Sequence, residues 1–161
     1  MVFLLAVASA KRISELQAFS AIHPYIIFLQ DRVLLKFSPY FRPKVPTFQN
    51  INQVISLQVL FSASSSDTPA RHPLDILRCL QVYVDRSREF RIDENLLILF
   101  AGKSKGRKAS KATISRWIKE AIREAFVSQS LDPPEFVKAH STRAVSTSVC
   151  GEKTSPLRVD L

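Results

Sequence analysis

Two places in this 161-residue chain carry residue types suited to chemistry on a phosphate. The first is His140-Ser141-Thr142-Arg143, in VKAHSTRAVSTS, where a His-x-x-Arg pair falls one helical turn apart on one face. The second is Arg12, far upstream in ASAKRISEL. Two guanidiniums can grip the non-bridging oxygens of one phosphate in fork geometry, and an imidazole one turn from an arginine can move a proton. Phosphodiester handling is the chemistry such a set can do. A lone His-x-x-Arg also arises by chance, as a half-buried histidine bonded to a carbonyl beside a solvated arginine, so the elements around it must decide.

Charge points the same way. Lys+Arg total 23 against 14 Asp+Glu, a formal +9, which favours polyanions, anionic membranes or acidic proteins as partners. Between Lys103 and Arg123 stand Lys103, Lys105, Arg107, Lys108, Lys111, Arg116, Lys119 and Arg123, with one acid, Glu120. Lysine stems often cover apolar surface, so a solvated face is the bland reading. Cations at this density repel one another unless a polyanion neutralises them, and double-stranded DNA is the expected partner. Lys103, Lys105, Arg107, Lys108, Lys111 and Arg116 are the expected DNA contacts, with binding that weakens steeply in salt.

The elements that must position these residues can be read in turn. Val2 to Ala8 is apolar on every side, as a central helix is, and a break near Ser9-Ala10 leads to a second helix that starts at Arg12 and repeats Ile13, Leu16 and Phe19. Runs at 25–29 and 33–37 flank Gln30-Asp31 as a hairpin, Pro39, Pro43 and Pro46 force an irregular excursion, and 54–60 reads as another strand. Pro73 suits the first turn of a helix that continues through Leu74, Leu77, Leu80 or Gln81, and Val84. NLLILF reads as a buried strand. A basic loop at 101–109 follows, and then Ser110 caps a helix in which Ile114, Trp117, Ile118, Ala121, Ile122, Ala125 and Phe126 fit the apolar template. Pro133-Pro134 is expected to end that helix, and a last one at about 139–149 carries His140 and Arg143.

Other chemistry is set aside. Cys79 and Cys150 are far apart and lack a histidine at zinc spacing, so no metal or cofactor is expected and both read as free thiols in a reducing, nuclear or cytoplasmic compartment. His23 and His72, each before a proline, read as loop residues. MVFLLAVASA imitates a signal peptide without its basic start, and it falls short of the roughly 18 to 20 apolar residues of a membrane span, so no membrane is expected as a partner. A core helix starting abruptly at residue 1 suggests missing upstream sequence. FAGKSKG is no P-loop, because Leu97 stands where the first glycine belongs.

Three segments together, LLAVASAKRISEL, LLILFAGKSKGRKASKATISRWIKEAIREAF and PPEFVKAHSTRAVSTS, resemble the catalytic domain of the tyrosine recombinases, the phage-integrase family, and most closely the recombinases of DIRS-type retroelements. The resemblance covers most of residues 1–149 and leaves 150–161 as an unrelated or disordered tail. It implies an α+β, mainly α-helical, integrase-like domain with a small antiparallel sheet, incomplete at both ends, and a role in DNA recombination and integration. It also implies that Arg12, His140 and Arg143 surround the scissile phosphate and that a hairpin lysine acts as general acid. Lys36 and Lys44 both compete for that last position, with Lys44 preferred.

The family's nucleophilic tyrosine has no counterpart after HSTRAVSTS. Tyr25, Tyr40 and Tyr83 belong to earlier elements, and without a nucleophile no covalent phosphotyrosine intermediate forms. The expected function is therefore DNA binding without strand transfer. Two alternatives stay open: an active recombinase that takes its tyrosine from another subunit, and a nuclear interaction protein or non-functional relic.

Overall fold

A computed structural model describes residues 1–43, 53–58 and 75–133. Lys44, His72, Pro73, Leu74, His140, Arg143, Cys150, the expected helix at 139–149 and the tail at 150–161 lie outside the described residues. Within them the chain is a small α+β fold of four α-helices and one three-stranded antiparallel sheet, with helix outweighing strand.

Helix α1 (Val2–Ser9) is apolar all round and is a central element. Leu5 and Ala6 are fully buried, and the helix packs against α2 (Ile13–Ala18), α3 (Ile76–Ser87), α4 (Lys111–Ser128) and strand β3 (Val54–Gln58). The Ser9 hydroxyl donates back to the Leu5 carbonyl at 2.6 Å, and Ala10 at φ 51° closes the helix in the left-handed region. The chain then turns through extended Arg12 into α2. There the backbone N–H of Arg12 donates to Glu15 Oε2 at 2.7 Å, which satisfies an amide at the helix start and leaves the guanidinium out of the cap.

Strands β1 (Ile26–Phe28), β2 (Arg32–Lys36) and β3 lie in the order β1-β2-β3. The register pairs Phe28 with Val33 across the hairpin and Lys36 with Val54 on the other side. Val33, Leu35, Ile55 and Leu57 turn to the core, while their neighbours Arg32, Leu34 and Lys36 are partly exposed, the period-two alternation of a sheet with one wet face. Helix α3 is capped by Asp75, whose side chain accepts from the Leu77 N–H at 3.0 Å, so it begins after the Pro73 expected in its first turn. Leu77 and Leu80 are buried, and Val84 packs against the core, continuing the expected stripe.

The middle of NLLILF is buried, but the segment is not a strand. Leu96, Leu97 and Ile98 are at most 1% exposed, yet the segment pairs with its neighbours only through single bridges, Ser20 with Asn95 and Ile98 with Lys108. Several of its backbone groups are satisfied one by one: Leu96 N–H by the Phe19 carbonyl at 2.7 Å, Ile98 N–H by the Tyr83 hydroxyl at 2.9 Å, and Leu99 N–H by the Arg107 carbonyl at 2.9 Å. Burial thus comes without a ladder.

Helix α4 matches its expected cap. Ser110 Oγ accepts from the Thr113 N–H at 3.1 Å, Ile114 and Ile118 are fully buried, and Trp117 and Ile122 pack at the edge of the core. Its end comes sooner than Pro133-Pro134. Ser130 at φ 56° stops it, with Leu131 N–H returning to the Phe126 carbonyl at 3.0 Å. Ala125, on the expected stripe, is exposed there. No helix among the described residues is long and apolar enough to cross a membrane.

Candidate functional site

The start of α2, the Ser38–Pro43 segment and the start of α4 enclose an open cleft of about 840 Å³. Among the described residues Lys11, Arg12, Arg42, Lys108 and Lys111 line it, with Glu15 as the one acid. That carboxylate already accepts the Arg12 N–H, so it is partly spent inside the fold. The cleft gathers positive charge where an anion can reach it.

Three hydrogen bonds and an aromatic column hold the walls together. Gln17 Nε2 donates to the Ala109 carbonyl at 2.8 Å, which ties α2 to the residue just before the Ser110 cap. Asn95 Nδ2 donates to the Gln17 carbonyl at 3.0 Å, and the Lys108 N–H donates to Asp93 Oδ2 at 2.7 Å, so the 93–95 segment braces both sides. Phe19, at the end of α2, stacks on Phe37 at 5.2 Å and 11° between planes, and Phe37 in turn meets Phe41 at 4.9 Å. This aromatic column sets the Ser38–Phe41 turn against α2. The turn is closed by Phe41 N–H to Ser38 carbonyl at 2.9 Å, with Pro39 in its second position, where proline's fixed φ is suited.

The structure places the sequence-identified residues unevenly. Arg12, Lys108 and Lys111 come together in the cleft, although about a hundred residues of chain separate the first from the others. Arg107 and Lys108 line an adjoining basin of about 380 Å³. Lys103 is exposed on the loop. Lys105 turns away, its ammonium 4.3 Å from the centre of the Phe90 ring, and Arg116 pairs with Glu120 one turn on at 3.6 Å, both side chains more than half exposed. Lys36 sits at the end of β2, outside the cleft lining.

Lys11 and Arg42 are cleft residues that sequence reasoning missed. Lys11 is the neighbour of Arg12; its Nζ donates to Gln53 Oε1 at 2.7 Å and lies 5.9 Å from the Phe37 ring centre. Arg42 is exposed in the proline-rich excursion, where no periodic pattern marks it.

The basic loop has its own scaffold. Gly106 sits at φ 84° with its amide donating to the Leu99 carbonyl at 2.8 Å and its carbonyl accepting from Ile92 and Asp93. A Cβ there falls 1.9 Å from the Phe90 carbonyl oxygen, so only glycine lets the loop lie so close. Below it, Arg91 donates to the Asn95 and Leu96 carbonyls and to Ser87 Oγ. Burial lowers the Arg91 pKa, and burial raises that of the Tyr83 phenol, with the Ile98 backbone and Arg91 pulling the other way.

Chemically, the cleft can bind an anion through its lysine and arginine side chains. No histidine lines it among the described residues, and no group of His, Cys, Asp and Glu among them is arranged to hold a metal ion. Compared with protein-family models, curated proteins and solved structures, the chain matches none.

Proposed function

We propose that this protein binds the backbone of double-stranded DNA through the Arg12 cleft, as a relative of tyrosine-recombinase catalytic domains that does not carry out strand transfer. One observation carries the reading: Arg12, Lys108 and Lys111, singled out separately in the sequence, line one cleft with Lys11 and Arg42. A site with five cations and one acid among the described residues attracts phosphate whatever the base sequence, so the binding positions DNA without specifying bases.

Strand transfer needs more than a held phosphate. Tyr83 has its hydroxyl engaged with both the N–H and the carbonyl of Ile98, so it serves the fold. Tyr40 borders the cleft, but no hydrogen bond to a proton acceptor activates its hydroxyl among the described residues.

The test is a salt titration of the purified chain against a fluorescent DNA duplex, with a denaturing gel on the same samples. Affinity falling linearly on a log-log plot, with no covalent adduct, is the expected result. Absence of binding, or binding indifferent to salt, overturns the backbone reading. A covalent adduct overturns the loss of strand transfer and favours an active recombinase.

A further inference from the structure

The cleft does not end at its cationic wall. It adjoins the second basin of about 380 Å³, and Ser38, Tyr40, Asn95 and Lys108 line both, so the two share a border at the Ser38–Phe41 turn. Tyr40 is 86% exposed on that border, the most exposed of the large apolar or aromatic side chains among the described residues. Proline-initiated turn geometry and the Phe19, Phe37, Phe41 column hold its backbone in place, so the ring is presented by a fixed support.

The two basins differ in chemistry. The first is cationic. The second brings Asp93 and Glu94 to the lining beside Arg107 and Lys108; the Ser20 hydroxyl, Asn95 Nδ2 and Asp93 Oδ2 there are already bonded within the fold, which leaves Glu94 and the other Asp93 oxygen to face a ligand. Two carboxylates make it a poor seat for a second phosphate. They suit a neutral, planar group with amino donors on its edge, as carboxylates do for cytosine N4. Its volume lies near the lower end of the roughly 300 to 1,000 Å³ typical of small-molecule sites. Phosphate on one side, an exposed aromatic ring at the border and a polar basin beyond it follow the order of parts in a nucleotide.

We infer that the second basin receives an unpaired DNA base stacked on Tyr40, while the backbone attached to that base lies along the cationic cleft. The inference rests on the backbone reading above and adds to the duplex a preferred substrate, DNA that offers an unpaired base, as gaps, frayed ends and single strands do. A base within a duplex keeps both faces covered by its neighbours and does not reach the basin. Stacking accepts any base, and Glu94 and Asp93 add a preference for amino-bearing edges over thymine, whose O4 is an acceptor.

The experiment measures fluorescence anisotropy of the full chain with a labelled oligo-dC, a labelled oligo-dT and a labelled mixed-sequence duplex, for the parent, Tyr40→Ala and Tyr40→Phe. Thermal melts of each variant check folding, which the exposed position of Tyr40 leaves intact. Expected for Tyr40→Ala is a loss of single-strand affinity of roughly 5- to 160-fold, from the measured range for one stacked base. Tyr40→Phe keeps the ring and the affinity, Tyr40→Ala loses more affinity for the single strand than for the duplex, and the parent prefers oligo-dC to oligo-dT. Equal single-strand affinity in Tyr40→Ala and parent, or an equal loss on strand and duplex, overturns the stacking site while leaving salt-sensitive duplex binding in place. Failure of every probe to bind in a salt-dependent way overturns the backbone reading itself.

Discussion

Gln17 Nε2 meets the Ala109 carbonyl at 2.8 Å, a side-chain bond that closes 92 residues of chain. Ala109 is fully buried, and the residue after it caps α4. The same Gln17 receives Asn95 Nδ2 on its own carbonyl, so one residue of α2 fixes both the segment that braces Lys108 and the start of the helix that carries Lys111. The distance between Arg12 and the two lysines is therefore set by a polar clamp as well as by apolar packing.

Gln17→Ala leaves a buried carbonyl without its donor. A loss of about 1 to 3 kcal/mol in unfolding free energy follows, measured by urea denaturation. Gln17→Glu, which sets a carboxylate against a carbonyl oxygen, costs at least as much at neutral pH and recovers part of it as the carboxylate protonates in acid. A Gln17→Ala variant as stable as the parent removes the clamp from the account.

The two glycines of the basic loop separate strain from collision. Gly102 and Gly106 both hold positive φ, at 78° and 84°, but a Cβ on Gly102 meets nothing within 4 Å while one on Gly106 strikes the Phe90 carbonyl oxygen. Gly102→Ala is expected to cost about 1 to 2 kcal/mol from backbone conformation alone. Gly106→Ala costs clearly more in the same denaturation assay, since the loop must also lift away from Phe90. Equal costs for the pair count against the close approach.

The sequence made some of this legible for identifiable reasons. Ser110 and the Ile114, Ile118 spacing announce α4, and the apolar run before Ala10 announces α1, because capping and periodicity are local signals. The hairpin around Gln30-Asp31 is legible in the same way. NLLILF misleads because its apolar content fits a strand while its backbone partners, the Tyr83 hydroxyl and the Arg107 carbonyl among them, come from elements that no window of sequence contains. The end of α4 misleads because Ser130 adopts a left-handed conformation that proline positions do not report. Arg12, Lys108 and Lys111 can each be picked out by type, but their meeting depends on Gln17, Asn95 and the aromatic column, and Arg42 has no pattern to betray it.

Tyr83 gives stability a dependence on alkaline pH. Burial raises its pKa above the ordinary value near 10, so the folded state keeps the phenol proton after the unfolded chain has lost it. Where the native state binds more protons, stability falls as pH rises. The contribution of the phenol is therefore fully present below about pH 10 and declines above it. In urea melts, Tyr83→Phe is expected to be less stable than the parent by about 1 to 3 kcal/mol at pH 7, because the Ile98 N–H loses its acceptor, and the gap narrows from pH 10 upward. A gap that stays constant to pH 11 argues against a buried, proton-holding phenol.

The last prediction ranks the cations by where their charge points. Lys108 and Lys111 line the cleft, whereas Lys105 rests on the Phe90 ring and Arg116 faces Glu120. If phosphate lies in the cleft, Lys108→Ala and Lys111→Ala each weaken duplex binding and flatten the slope of log affinity against log salt by about 0.9, one phosphate contact apiece. Arg12→Ala does the same and loses a two-pronged grip on one phosphate. Lys105→Ala and Arg116→Ala change the slope little, and Lys105→Ala instead lowers stability by about 0.5 to 1 kcal/mol through the lost cation–ring contact. A basic surface that attracts DNA only by its total charge predicts something else, the same slope change for all five substitutions. Anisotropy titrations across a range of salt distinguish the two patterns, and equal slopes place the DNA over the whole basic face instead of in the cleft.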